Sequence, residues 1–280
     1  MDCTVEETLK AFLPAWHKDI DISAFLENQA YREYFMTCLR DRYSHGEPEG
    51  VSIVTCTNKT YCMDNIFENY QNQVWGKKEL ILVLNRDDLD IHQWQKKAER
   101  YDKVHIYQQP QGVSLGSCYN FSINKANYDY LAIFDDDDYY APNYLTDLMY
   151  AFQYTDADII GKLTHFVYLE EKQTLALRNP FNEYVYLCGD SFLDGGKKIS
   201  KRKVFDSVRF RDVSNFEDVF FCRDSMDHGF KIFSADKYNL AYIRKRNKAL
   251  HTWKENDDGV LAWNCSFICH TNNYRTGVVL

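Results

Sequence analysis

A chain of 280 residues can bury one sizeable core, with room for at most a small appendage beside a catalytic body. Hydrophobic residues make up 45% of it and aromatics 16%, with 21 Tyr and 18 Phe, which excludes a disordered chain. The net charge of -8 excludes a general binder of phosphate backbones, so no nucleic-acid partner is expected, and an acidic protein that handles an anionic nucleotide needs a bridging cation.

Nothing in the sequence approaches the ~20 apolar residues of a membrane span, and the first thirty residues lack the charged, apolar and small-residue succession of an export signal. A cytoplasmic protein is expected. The nine cysteines show no paired spacing and read as reduced thiols. Cys56 with Cys62, and Cys265 with Cys269 and His270, fall short of the two paired sets of a zinc site.

In chain order, residues 1–48 read as a helical extension: Leu9, Phe12 and Leu13, then Phe25, Tyr31, Tyr34, Phe35, Cys38 and Leu39, recur at steps of three and four. The extension packs on the body or serves a partner, and the sequence leaves both open. Gly46-Glu-Pro-Glu-Gly50 breaks the pattern. From Val51 short apolar strands alternate with amphipathic helices, the signature of an α/β sheet with mostly parallel strands. Strands are predicted at 51–56, 80–84, 104–107 and 130–134. A helix with Ile66, Phe67, Tyr70 and Val74 on one face follows the first strand, and another spans roughly 115–126.

Ligands of such sheets sit at the carboxyl ends of the strands. There the sequence places Thr55-Cys-Thr-Asn58, Asn85-Arg-Asp-Asp88 and the run Asp135-Asp-Asp-Asp138. Four adjacent carboxylates repel one another, and a divalent cation, Mg²⁺ or Mn²⁺ held by one or two carboxylates plus substrate phosphates, relieves that repulsion. Residues two apart in an extended segment point the same way, so Asp135 and Asp137 are expected to face the cleft together, with Asp136 pointing elsewhere.

VSIVTCTN with its following helix, ELILVLNRDD, and LGSCYNFSINKANYDYLAIFDDDDYYAPNYL resemble, in order and spacing, the nucleotide-binding half of glycosyltransferase family 2. The resemblance implies a GT-A fold over 49–280, with a nucleotide-binding half at 49–145 and an acceptor and catalytic half at 146–280. The family's aspartate motif falls on Asp135-Asp136-Asp137. By resemblance Asp137 binds the metal and Asp135 the ribose or metal shell, with Asp136 beside the nucleotide and Thr55, Thr57, Asn58 and Asp87 around base and ribose. The family's Arg-Asn pair on the third helix is Tyr119-Asn120 here, which puts Asn120 in the same nucleotide-binding set.

In the second half, Glu217 and Asp218 precede an apolar-periodic segment and so lie near a helix N-terminus, where acids are common for dipole and capping reasons alone. The resemblance implies more: Asp218 takes the proton from the acceptor hydroxyl, Glu217 orients acceptor or base, and transfer inverts the anomeric centre. Asp194-Gly195-Gly196 permits close approach of backbone to a sugar or phosphate, although an ordinary hairpin turn has the same composition. The basic run 242–253 resembles a family stretch ending in His-Thr-Trp. It offers Arg244 or Arg246 to phosphate, His251 to the metal shell or diphosphate, and Trp253 to a sugar face.

The expected function is thus metal-dependent, inverting transfer from a nucleotide-diphosphate sugar, with UDP favoured, to a glycan, lipid-linked, protein or small-molecule acceptor. Two alternatives remain: a sugar-phosphate nucleotidyltransferase, though Thr55-Cys-Thr-Asn-Lys59 lacks the glycines of its phosphate loop, and a non-catalytic sugar-binding relative. The segment 259–280, with Trp263, Phe267 and Tyr274, covers the acceptor site or mediates homo-oligomerisation, two uses the sequence leaves open.

Overall fold

Strands β1 (Val51–Thr57) and β2 (Lys78–Leu84) are almost continuously apolar because both faces of the sheet are covered. The computed structural model describes residues 9–11, 27–45, 47–248 and 255–280. β1 pairs in parallel with β2 and with β4 (Tyr130–Ile133), and β2 pairs in parallel with β3 (Val104–Gln108). These four strands fill one end of an eight-stranded sheet of order β3-β2-β1-β4-β10-β6-β11-β9.

Alternation along the strands feeds two cores. Val51, Ile53, Leu80, Leu82, Leu84 and Ala132 pack on one face, together with buried residues of α1 (Gln29–Tyr43), α2 (Met63–Asn72), α3 (Ile91–Ala98) and α5 (Tyr144–Tyr154). Val54, Ile81, Leu131 and Ile133 pack on the other with Tyr119 and Ile123 of α4 (Leu115–Lys125) and Phe221 and Cys222 of α6 (Glu217–Asp227). The fold is the expected α/β type.

Ile66, Phe67 and Tyr70 are buried as predicted, but α2 ends at Asn72 and Val74 lies beyond it, 60% exposed. Of the N-terminal extension, α1 packs on the body: Phe35, Met36 and Leu39 are buried, Arg32 pairs with Glu183 at 2.7 Å, and Arg40 with Asp147 at 2.8 Å. Phe12, Leu13 and Phe25 lie outside the described residues.

The second half departs from simple alternation. β10 (Lys198–Lys201) enters the sheet antiparallel to both β4 and β6 (Ile159–Gly161), with Lys198 opposite Ile133. β11 (Ile232–Ser234) then pairs in parallel with β6, and β9 (Val185–Tyr186) closes that edge. A second sheet has the order β13-β8-β7-β12-β5, with β5 (Tyr139–Tyr140), β7 (His165–Leu169), β8 (Thr174–Arg178), β12 (Leu240–Arg244) and β13 (Cys265–His270). β4 belongs to the first sheet and β5 to the second, so the four aspartates form the junction between them. No described helix is long and apolar enough to cross a membrane.

Candidate active site

The aspartate run bends instead of staying extended, because the chain must leave one sheet and join the other within five residues, 134–138. The extended geometry from which Asp135 and Asp137 are expected to share a face is absent, and the ion pairs group the four carboxylates in another way. Asp136 and Asp137 share Lys59, whose Nζ lies 2.9 Å from Asp136 Oδ1 and 2.8 Å from Asp137 Oδ2. Asp135 and Asp138 share Lys197, at 3.7 and 3.5 Å. Two ammonium groups thus supply part of the counter-charge that the sequence assigned to a metal alone.

Three of the carboxylates have a further anchor. Thr57 Oγ1 donates to Asp136 Oδ2 at 2.5 Å, Gly196 N–H donates to Asp135 Oδ2 at 3.0 Å, and Ile243 N–H of β12 donates to Asp138 Oδ1 at 3.0 Å. Asn65 and Asn69 of α2 donate to the carbonyls of Asp136 and Asp138. Burial, with Asp137 adding to it, raises the Asp136 carboxyl to about 6, and burial outweighs Lys197 to raise Asp138 to about 8. Asp136 and Asp138 are therefore chemically unequal.

Antiparallel β10 explains how the glycine loop reaches the run, since its first residue lies opposite the last residue of β4. Gly195 N–H donates to Asp218 Oδ2 at 2.7 Å, while Gly196 N–H binds Asp135. Tyr140 Oη donates to Gly196 C=O at 2.7 Å and accepts from Asp135 N–H at 2.8 Å. One short loop consequently bridges the aspartate run and the Glu217-Asp218 pair. Glu217 and Asp218 open α6 as predicted, after Phe216 in a left-handed conformation (φ 63°). Val219 N–H donates to Asp218 Oδ1 at 2.8 Å. Burial, and then Asp218, raise the Glu217 carboxyl to about 7.

The remaining predicted residues divide. Thr57 reaches the aspartates, whereas Thr55 is buried within β1. Asn58 and Asp87 are exposed at the ends of β1 and β2, where Arg86 donates to Asn58 C=O at 3.3 Å and Gln111 N–H to Asp87 Oδ1 at 3.3 Å. Asn120 exchanges both halves of its amide with the backbone of Phe210, at 2.8 and 3.1 Å. Arg244 is fully buried, donating to Tyr242 Oη at 3.0 Å and to Glu255 C=O, while Arg246 is exposed with its N–H on Glu170 Oε2 at 3.2 Å. His251 and Trp253 lie outside the described residues. Lys59, Lys197 and Tyr140 are site residues the sequence reading did not assign; lysine following the glycine pair was the visible signal for Lys197.

A family model for glycosyl transferase family 2 matches residues 52–215, more than half of the chain and all of the aspartate run. The chain belongs to that family. The structures it resembles agree on fold. S. aureus TarS 1-349 superposes with a TM-score of 0.51 at 14% identity, covering 69% of this chain and 60% of that one. The complex of TarS 1-349 with UDP-GlcNAc gives 0.53 at 13% identity, covering 71% and 59%, and the complex with UDP gives 0.51 at 14%, covering 69% and 60%. The chain therefore spans about three-fifths of the TarS 1-349 chain. No curated protein matches its sequence.

A divalent cation can be tested against these residues. Among the described residues no three His, Cys, Asp or Glu side chains are grouped to hold a metal by themselves. Asp135 and Asp137 nevertheless keep side-chain exposures of 28% and 11%. This donor set fits a hard ion completed by diphosphate oxygens and does not fit an ion caged by protein alone.

Proposed function

We propose that the protein is a metal-dependent, inverting glycosyltransferase that moves a sugar from a UDP-sugar to an acceptor hydroxyl, with Asp218 as general base. The observation that carries this reading is the Gly195-Gly196 loop, which ties Asp218 to Asp135 through two adjacent backbone amides. Holding a base and a donor-binding carboxylate on one loop is the kind of positioning that supports a displacement reading. UDP is favoured because TarS, which shares the fold, was captured with UDP-GlcNAc and with UDP.

Asp218 accepts one N–H on each oxygen, and a carboxylate has about four acceptor sites, so it keeps lone pairs for an incoming hydroxyl. As that oxygen attacks the anomeric carbon, Asp218 takes its proton and the bond to the diphosphate breaks. Glu217 stands beside it with its carboxyl raised to about 7, so that a protonated form is populated near neutrality and orients the acceptor as a hydrogen-bond donor. Lys59 and Lys197 keep the four aspartates together before the donor arrives. Mg²⁺ or Mn²⁺ on Asp137 and Asp135 would offset charge on the departing diphosphate. Arg246 and Asp87, both exposed, are offered for the phosphate and the nucleoside.

Thermal-shift titration with UDP, GDP, TDP and CDP, each with and without Mn²⁺, tests the proposal. Metal-dependent stabilisation by UDP that disappears in Asp137→Ala supports it. Stabilisation by none of the nucleotides counts against it and favours a sugar-binding relative without turnover.

A further inference from the structure

Trp263 follows α7 (Asp257–Ala262) with its indole 56% exposed, an unusual position for the largest apolar side chain. It is held in place. Its backbone N–H donates to Gly259 C=O at 3.1 Å, and its neighbour Asn264 is locked to Asn179 by two bonds of 2.8 Å. The Arg178 guanidinium carbon lies 4.9 Å from the indole centroid, and Arg178 itself is nearly buried. A cation stacked on the ring in this way fixes its plane.

The same arginine leads to the proposed base. Arg178 Nε donates to Asp194 Oδ2 at 3.0 Å, Asp194 directly precedes Gly195, and Gly195 N–H binds Asp218. His165, fully buried, also approaches Asp194 Oδ2, at 3.7 Å. The Asp194 side chain is 21% exposed, so part of its carboxylate stays accessible. A second aromatic, Phe216, is 67% exposed directly before Glu217 and holds φ at 63°, a conformation uncommon for a bulky residue and concentrated at functional sites.

We propose that Trp263 and Asp194 form the acceptor subsite and that the acceptor presents a sugar ring there, a glycoside rather than a protein hydroxyl or a simple alcohol. A sugar ring has a face of C–H groups and an edge of hydroxyls. The indole takes the C–H face, and the carboxylate accepts from the hydroxyls, as fits an aromatic platform with one charged neighbour. The inference rests on the glycosyltransferase reading with Asp218 as base, and it chooses acceptor binding for the segment around Trp263.

The test is saturation-transfer NMR on the full chain with the methyl β-glycosides of glucose, N-acetylglucosamine, galactose and mannose as probes, comparing native protein with Trp263→Ala and Trp263→Phe. At least one glycoside is expected to bind the native chain through its C–H face, to bind Trp263→Ala about tenfold more weakly, and to recover in Trp263→Phe. Both variants are expected to keep the native melting temperature and the native response to UDP with Mn²⁺, which separates loss of the platform from loss of the fold. Absence of glycoside binding in native protein that responds to UDP overturns the subsite, as does undiminished binding in Trp263→Ala. Glycoside binding that depends on Trp263 in a chain no nucleotide stabilises upholds the subsite and counts against the transferase reading instead.

Discussion

Gly196 N–H donates to Asp135 Oδ2 at 3.0 Å, and a methyl group on Gly196 would lie 2.3 Å from the Asp135 nitrogen and 2.7 Å from Tyr140 Oη. Contacts that short to backbone and to a fully buried tyrosine cannot relax without moving the loop. Gly196→Ala should lower unfolding free energy by about 1–3 kcal/mol and, because the loop also carries the amide that binds Asp218, abolish transfer. Urea unfolding and turnover of a UDP-sugar check both parts. A variant with native stability and native turnover would show that the loop does not hold the site.

Asp218 separates chemistry from donor binding. Asp218→Asn keeps the size of the side chain and its acceptor oxygen toward Gly195 N–H, but it cannot take a proton. Its turnover should fall by about 10²–10⁴-fold while UDP-dependent stabilisation stays unchanged. Equal losses in both measurements would move Asp218 from the base to the donor site.

How much of this was legible beforehand depends on sequence separation. β1, β2 and β4 were readable because each is an apolar run buried on both faces, β3 was readable as a short run of β-formers although it is only half-buried, and α6 was readable from acids preceding an apolar period. β10 was not, since Lys198-Ile-Ser-Lys201 gains its place from pairing with β4 and β6 and carries no period of its own. The aspartates were recognisable as a site, but their counter-charges come from Lys59 and Lys197, both more than fifty residues away in sequence. Asn120 illustrates the converse: its position on α4 suggested a nucleotide, while its amide is engaged by the Phe210 backbone, a partner that no local pattern discloses.

Lys59 is predicted to carry stability that a metal can partly replace. Its pKa is raised: burial opposes the charge, and Asp136 and Asp137 outweigh burial. Lys59→Met would leave two adjacent, mostly buried carboxylates without their shared cation, at a cost of about 1–3 kcal/mol. Mn²⁺ should then stabilise Lys59→Met more than it stabilises the native chain, because the variant offers oxygens no longer paired with an ammonium. Melting curves with and without Mn²⁺ decide the matter, and equal metal responses would mean that the ion and Lys59 use different oxygens.

Glu217 sets a pH dependence of known sign. Its carboxyl is raised from 4.5 to about 7, first by burial and second by Asp218, so the folded state favours the protonated acid. The stability this contributes is fully present below about 4.5 and is lost as pH rises through about 7. Glu217→Gln keeps the neutral form at every pH and should not show that decline. The variant should therefore gain on the native chain between about pH 5 and about pH 8, by on the order of 1–3 kcal/mol in unfolding free energy. Urea midpoints at those two pH values measure the gain. A constant difference between variant and native chain across the window would mean that Glu217 is ionised in the folded state throughout, and the donor role assigned to it in orienting the acceptor would fall.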